Sequence, residues 1–189
     1  MKLLNINKSI IIGTAQLGTN YGIANKNKKI YIKEKIKLLD YCYYKGLISI
    51  DTAYAYKNSH KIIGQWIKNN HIAPKISTKI PNLEKYHINI IESLIKKFLI
   101  ELNIKKIENL FLHNPNDWNK PNIKKYIRKV LDGNLVSKFG LSIYETRDIF
   151  KDPNIKILQI PANIFNQNII NSDQINAFIE NGGSIHVRS

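Results

Sequence analysis

The chain has 189 residues, 43% of them hydrophobic, which allows one domain with a sizeable core and excludes a disordered chain. Lysine and arginine total 29 against 14 aspartates and glutamates, a net charge of +15. The lysines are scattered and form no arginine-rich stripe, which disfavours a nucleic-acid partner. Cys42 is the only cysteine, which excludes an internal disulfide and is typical of a cytoplasmic protein. No window approaches the roughly 18 apolar residues of a membrane span, so no membrane partner is expected.

Strand and helix patterns alternate along the chain. The apolar, β-branched runs predict seven strands, over 10–15, 47–53, 75–80, 107–113, 137–143, 155–161 and from 184 onward. Apolar residues at helical spacing predict six helices, over 32–46, 59–70, 90–103, 120–133, 145–150 and 172–183. Gly46 is placed to end the first of these helices, and Ser172 to cap the last.

The strands are continuous apolar runs, which is typical of a parallel sheet covered on both faces. Strand–helix units repeat about every 25 to 30 residues, and no Gly-x-Gly-x-x-Gly follows the first strand. We therefore predict an α/β fold, a (β/α)₈ TIM barrel, as one domain over 1–189. Such barrels usually need about 250 residues, so the prediction is an incomplete barrel with about seven strands and no eighth βα unit.

Polar residues stand at the carboxyl ends of three successive predicted strands, where such barrels hold their active sites. Asp51 ends the second strand with Tyr56 shortly after it, Lys79 lies at the end of the third, and His113 ends the fourth. A free tyrosine has a pKa of about 10, and a nearby ammonium would lower it toward the useful range. Asp51 would hold Lys79 charged, and His113 would hydrogen-bond a substrate oxygen. This set is suited to protonating a carbonyl.

Each residue of the set also has a plain structural interpretation. Asp51 could cap the turn into the following helix, Lys79 could be a solvated charge, and His113 could be a structural histidine. Their joint occurrence on neighbouring strands favours the catalytic interpretation. Tyr54 is expected to pack, and Trp118 either packs or lines the pocket mouth. The remaining histidines show no ligand spacing, so we predict no metal site: His60, His71, His87 and His186.

Six motifs occur in order along nearly the whole chain: GTAQLG, DTAYAY, STK, LFLHNP, GLSIY and LQIPANIFNQ. In these motifs the chain resembles bacterial-type aldo-keto reductases, which are NADPH-preferring (β/α)₈ carbonyl reductases. The resemblance implies the tetrad Asp51, Tyr56, Lys79 and His113, with Tyr56 as general acid, NADPH as the hydride source and a small carbonyl compound as substrate.

The same resemblance implies a set of cofactor-binding residues. Ser142 and Gln159 would meet the nicotinamide carboxamide, with Asn163 nearby, and Gly13 and Thr14 would approach from the first strand. Arg188 stands where many members place an aromatic residue that stacks on the nicotinamide, so its guanidinium plane would stack there instead.

The sequence departs from the family pattern at two places. His60 stands where members often have an acidic residue, and little effect is expected because this position lies outside the tetrad. The C-terminal segment that grips the adenosine 2′-phosphate in the family does not occur in the 189 residues, so the resemblance is to a C-terminally truncated member.

Three alternatives remain open at the level of sequence. The first is a truncated or degenerate reductase without turnover, either a fragment or a chain that depends on a partner. The second is a lyase in which Lys79 forms a Schiff base, which the presence of Tyr56 disfavours. The third is a basic nucleic-acid-binding module, for which no basic patch interleaved with aromatic residues is present.

Overall fold

The computed structural model describes residues 9–19 and 30–188. Its seven strands are β1 (Ile11–Gly13), β2 (Ser49–Asp51), β3 (Lys75–Ile80), β4 (Ile107–Leu112), β5 (Val136–Ser142), β6 (Ile155–Pro161) and β7 (Ser184–Arg188). Its α-helices are α1 (Ala15–Gly18), α2 (Ile32–Tyr44), α3 (Ser59–Asn70), α4 (Ile91–Leu102), α5 (Ile123–Asp132) and α6 (Asp173–Glu180). The alternation of strand and helix predicted from the sequence is confirmed.

Three local predictions need correction. The helix predicted from residue 120 begins only at Ile123, because a 3₁₀ turn occupies Pro115–Asn119 and Asn122 has a left-handed φ of 64°. The helix predicted over 145–150 is a single 3₁₀ turn, Thr146–Asp148. The short helix α1 was not predicted, since four residues are too few to show a helical period.

The strands follow chain order in one sheet, from β1 to β7. The pairs for which a register is defined are parallel: β1 with β2, β2 with β3, β5 with β6, and β6 with β7. The inner strands are almost continuously buried; in β3 only the first residue is exposed and the next five are buried. This burial on both faces is the physical reason that the strands read as apolar runs.

The chain divides into two compact units. The first comprises Met1–Thr78 and Lys96–Ile107, and the second comprises Lys79–Ile95 and Glu108–Ser189. The first unit has a core that includes Leu39, Ile50, Ile63, Trp66, Ile67, Phe98 and Leu102, and the second has one that includes Ile91, Ile95, Phe111, Ile127, Phe139, Leu158 and Ile175. The single domain expected over 1–189 stays a prediction.

Glycines with positive φ end two helices. After α2, Gly46 has φ 79°, and the amides of Gly46 and Leu47 donate to the carbonyls of Tyr43 and Cys42. After α6, Gly182 has φ 81°, and the amides of Gly182 and Gly183 donate to the carbonyls of Ile179 and Phe178 in the same pattern. These bonds satisfy carbonyls that a helix end otherwise leaves without a partner. The predicted role of Gly46 is thereby confirmed.

Substitution at Gly182 isolates the backbone contribution of such a cap. A methyl group there would have no atom within 4 Å, so Gly182→Ala adds only the strain of a left-handed alanine. We expect it to lower the free energy of unfolding by about 1 kcal/mol. Asparagine tolerates this φ better, so Gly182→Asn should lose clearly less. Urea denaturation of the two variants checks this, and equal losses would contradict it.

Candidate active site

The carboxyl ends of β1 and β2 are joined closely in the first unit. Gly13 pairs with Asp51, and Asp51 pairs in turn with Ser77. The carbonyl oxygen of Asp51 accepts two hydrogen bonds from Thr14, from its amide at 3.0 Å and from its hydroxyl at 2.9 Å. Three residues singled out in the sequence, Gly13, Thr14 and Asp51, are therefore brought together at one end of this unit.

Tyr56 lies in the turn that leads from β2 into α3. Its amide donates to Ala53 at 3.0 Å, and its carbonyl accepts from the amide of Ser59 at 3.0 Å. Lys57, the next residue, has a left-handed φ of 48°. The side chain of Tyr56 is half-buried. The turn thus holds Tyr56 five residues after the strand end that carries Asp51.

Tyr54, the other tyrosine of this turn, packs as expected from the sequence. Its ring lies 5.4 Å from that of Phe98, centroid to centroid, and Lys97 Nζ donates to its hydroxyl at 3.2 Å. Tyr54 is thus held against α4 through its ring, which contacts Phe98 and Lys97, and through its hydroxyl. The two tyrosines of the DTAYAY motif therefore have different surroundings.

His60, to which the sequence analysis gave no role, is almost completely buried in α3, at 1% exposure. Its Nε2 lies 2.9 Å from the Thr78 hydroxyl, and its Nδ1 lies 3.6 Å from a carboxylate oxygen of Glu101. The imidazole also meets the ring of Phe98 edge to face, at 5.0 Å. Burial, and secondly the positive charge of Lys97, lower the pKa of His60 to about 4. The ring is therefore neutral at neutral pH.

Lys79 and His113 lie in the second unit at the ends of adjacent strands. The amide of His113 donates to the carbonyl of Ile80 at 3.1 Å, directly beside Lys79. Lys79 is only 2% exposed, whereas His113 is half-buried. Burying an ammonium group is unfavourable unless other groups compensate it, so Lys79 is not the solvated charge that the plain interpretation assumed.

Ser142 and Gln159 form a buried polar pair at the ends of β5 and β6. The two residues are partners in the parallel register and are 2% and 3% exposed. The Ser142 hydroxyl donates to the Gln159 amide oxygen at 3.4 Å, near the long limit for a hydrogen bond. The structure therefore brings together the two residues that the sequence analysis assigned to the carboxamide.

Asn163 and Arg188 have local partners in this unit. The side-chain oxygen of Asn163 accepts from the amides of Phe165 and Asn166, at 2.9 and 3.0 Å, and so stabilises a turn. The guanidinium carbon of Arg188 lies 4.3 Å from the ring centroid of Tyr144. Tyr144 is the last residue of the GLSIY motif, but the sequence analysis gave it no role because nothing local indicates its partner.

Trp118 packs in the second unit and also borders a cavity of about 480 Å³, which it forms with the segments 119–124 and 150–152. It is 3% exposed, and its ring lies 5.3 Å from that of Phe139. A cavity of about 740 Å³ in the same unit lies between the segment 146–156 and α6. It includes Ile155 at the amino end of β6, the opposite end from Gln159, so it is separate from the predicted site.

Among residues 9–19 and 30–188, no three His, Cys, Asp or Glu side chains are grouped so that they could hold a metal ion. No helix in the same stretches is both long and apolar enough to cross a membrane.

The model of the Aldo/keto reductase family matches residues 9–184. No curated protein sequence matches the chain. Among solved structures, a Pseudomonas aeruginosa protein assigned as an aldo-keto reductase is similar with a TM-score of 0.78 at 17% identity, over 95% of this chain and 72% of that one.

Two more solved structures are similar. An aldo-keto reductase from Bacillus halodurans, in its holo form, gives a TM-score of 0.75 at 18% identity, over 95% of this chain and 61% of that one. A thermostable aldo-keto reductase in complex with the inhibitor epalrestat gives a TM-score of 0.73 at 20% identity, over 93% of this chain and 66% of that one. The chain thus spans about two thirds of their length. At these identities the likeness establishes the fold, an incomplete (β/α)₈ barrel whose described residues supply seven strands.

The buried neutral His60 should make stability depend on pH. Its pKa is about 4 in the folded chain against 6.5 for the free side chain, so the unfolded chain binds the proton more tightly. The stability that depends on neutral His60 is complete above pH 6.5 and is lost as the pH falls toward 4, by about 3 kcal/mol.

Urea denaturation across this pH range measures the loss, and His60→Gln, which cannot titrate, is the control. The difference in unfolding free energy between the two proteins should narrow as the pH falls. If the difference in unfolding free energy did not change with pH, the low pKa of His60 in the folded chain would be contradicted.

Proposed function

The chain belongs to the aldo/keto reductase family, and we propose that it is an NADPH-dependent oxidoreductase that reduces an aldehyde or ketone to an alcohol. The family match over residues 9–184 supports an oxidoreductase as the general class. The choice of NADPH, the small carbonyl substrate and placement in the cytoplasm are parts of the proposal. The lone Cys42 is consistent with a reducing compartment.

Four residues carry the proposed chemistry. Tyr56 donates its hydroxyl proton to the substrate oxygen, and Lys79 favours the tyrosinate that remains. Asp51 keeps Lys79 charged, and His113 hydrogen-bonds the substrate oxygen and sets its position. That the four act together rests on the order of the motifs along the chain.

The observation that carries this proposal is the burial of Lys79. Lys79 is 2% exposed at a strand end, so its ammonium group has lost most of its hydration, which is unfavourable. The chain has 29 basic residues, and its general basic character does not require any of them to be buried. Such a lysine is retained where its charge is used. Stabilising a tyrosinate is one such use, and the family motif STK places Lys79 at the matching position.

The residues at the ends of β5 and β6 suit a nicotinamide cofactor. The hydroxyl of Ser142 and the amide of Gln159 are paired and buried, and together they offer the donors and acceptors that a carboxamide needs. When bound, the reduced nicotinamide supplies the hydride. We assign Arg188 and Asn163 to the same region, and Gly13 and Thr14 to the approach from β1.

Removing the proposed acid gives the most direct test. Tyr56→Phe should lower kcat for a simple aldehyde by about 10² to 10⁴, the usual contribution of a general acid, with NADPH affinity unchanged. Tyr54→Phe is the matched control, because Tyr54 carries the same hydroxyl in the same turn but packs against Phe98. It should retain wild-type kcat.

Steady-state kinetics of both variants at saturating NADPH measure this. Equal activity in wild type and Tyr56→Phe would remove Tyr56 from the mechanism. Wild-type chain that is folded but binds no NADPH would favour the alternative of a reductase without turnover.

The carboxamide assignment has its own test. Ser142→Ala should weaken NADPH binding about fivefold, the effect of losing one hydrogen bond worth about 1 kcal/mol. Ser137→Ala is the control, since Ser137 lies on the same strand but is exposed. Titration followed by quenching of tryptophan fluorescence gives both dissociation constants. Equal values for the two variants would contradict the role of Ser142.

A further inference from the structure

We propose that Gly18 is a positioning residue for Tyr56, an inference that rests on the proposed function, in which Tyr56 is the acid. A methyl group on Gly18 would lie 1.6 Å from the carbonyl oxygen of Tyr56 and 2.8 Å from its carbonyl carbon. It would also lie 2.9 Å from the amide nitrogen of Ser59. No side chain fits at these distances, so the last residue of α1 lies directly against the peptide that carries Tyr56.

The peptide group of Tyr56 is held on the side of α3. Its carbonyl accepts the amide of Ser59, the first residue of that helix. The Ser59 side chain is completely buried and lies 3.1 Å from the hydroxyls of both Thr14 and Thr52. These bonds connect the start of α3 to the residues that follow β1 and β2.

The turn that contains Gly18 is held equally well. The amide of Leu17 donates to Thr14 at 2.9 Å, and Leu17 is buried at 6% exposure. Thr19 donates both its amide and its hydroxyl to Ala15, at 3.0 and 2.7 Å. These bonds keep the turn itself intact, and it is tied to other elements because Thr14 donates to Asp51 and the carbonyl of Leu17 accepts from Lys35 Nζ. A shift of α1 away from a larger residue at position 18 would strain these contacts and the packing of Leu17.

The strain of a side chain at position 18 must then fall on the turn around Tyr56. Ala55, Lys57 and Asn58 in that turn are exposed, so these residues can shift without disturbing packed side chains. Clearing the overlap requires the carbonyl of Tyr56 to move by about 1 Å or more. A displacement of that size at a catalytic group can lower the rate about a hundredfold.

Gly64 offers a matched comparison. A methyl group there would lie 1.9 Å from the carbonyl oxygen of Glu101, a similar overlap in the same unit. Its overlap is with α4 rather than with the turn of Tyr56. Gly64→Ala should therefore destabilise the fold as Gly18→Ala does, without moving Tyr56.

The experiment compares Gly18→Ala, Gly64→Ala and wild type in two measurements. The first is kcat and KM for 4-nitrobenzaldehyde with NADPH, normalised to folded protein. The second is the ¹⁹F NMR spectrum of the chain labelled with 3-fluorotyrosine, in which the Tyr56 signal is identified by its loss in Tyr56→Phe. The second measurement depends on neither turnover nor cofactor.

Gly18→Ala should lower kcat about a hundredfold with a small change in KM, and should shift the Tyr56 signal. Gly64→Ala should do neither. An unshifted Tyr56 signal, or an equal shift in Gly64→Ala, would overturn the inference. Full activity of Tyr56→Phe would instead overturn the proposed function, while the signal would still report on the position of Tyr56.

If Gly18→Ala does not fold, Ser59→Ala takes its place. This variant removes the buried hydroxyl that ties the same peptide to Thr14 and Thr52, and introduces no overlap. A shifted Tyr56 signal with kcat lowered about tenfold would support the inference that packing beneath this turn places Tyr56. A Ser59→Ala protein with the wild-type signal and kcat would overturn it.

Discussion

The hydrogen-bond ladder between parallel strands continues for one residue beyond the strands themselves, and the placement of the polar residues depends on this. Thr14 donates its amide to Asp51, and Thr52 donates to Ser77 in the same way. In the second unit, His113 donates to Ile80 and Ile143 to Gln159. Because these amides must be satisfied, the first residue after each strand is fixed beside the last residues of its neighbour.

Polar groups at the strand ends and at the start of α3 are buried, and the two units satisfy them differently. The first unit satisfies the hydroxyls of Thr14, Thr52 and Ser59 with one another and keeps His60 neutral. The second buries Lys79 and pairs Ser142 with Gln159. Burial of polar atoms is unfavourable unless they are bonded, so these groups restrict the backbone to few arrangements.

The turn after β2 shows how two identical side chains in one motif come to differ. Tyr54 is held by Phe98 and Lys97 of α4. Tyr56 is placed by its backbone, which contacts Gly18 on one side and is bonded to Ser59 on the other. The ring of Tyr54 is committed to its contacts with α4, whereas the position of Tyr56 follows from the path of its main chain.

The sequence by itself determined the seven strands, most of the helices, the cap at Gly46 and the position of each candidate residue relative to its strand end. These features depend on local periodicity and on turn chemistry, which act over a few residues. It also carried the family motifs. Only the tertiary structure decided that His60 and Lys79 are buried, that Trp118 packs on Phe139 and that Arg188 stacks on Tyr144.

The contact between Gly18 and Tyr56 is another feature that only the tertiary structure decided. Its two residues lie on different elements, and no period or spacing in the chain connects them. Such contacts arise when strands and helices pack to fill space, so they depend on the shapes of many side chains at once. For this reason the sequence identified the residues that carry the proposed chemistry but did not identify those that hold them in place.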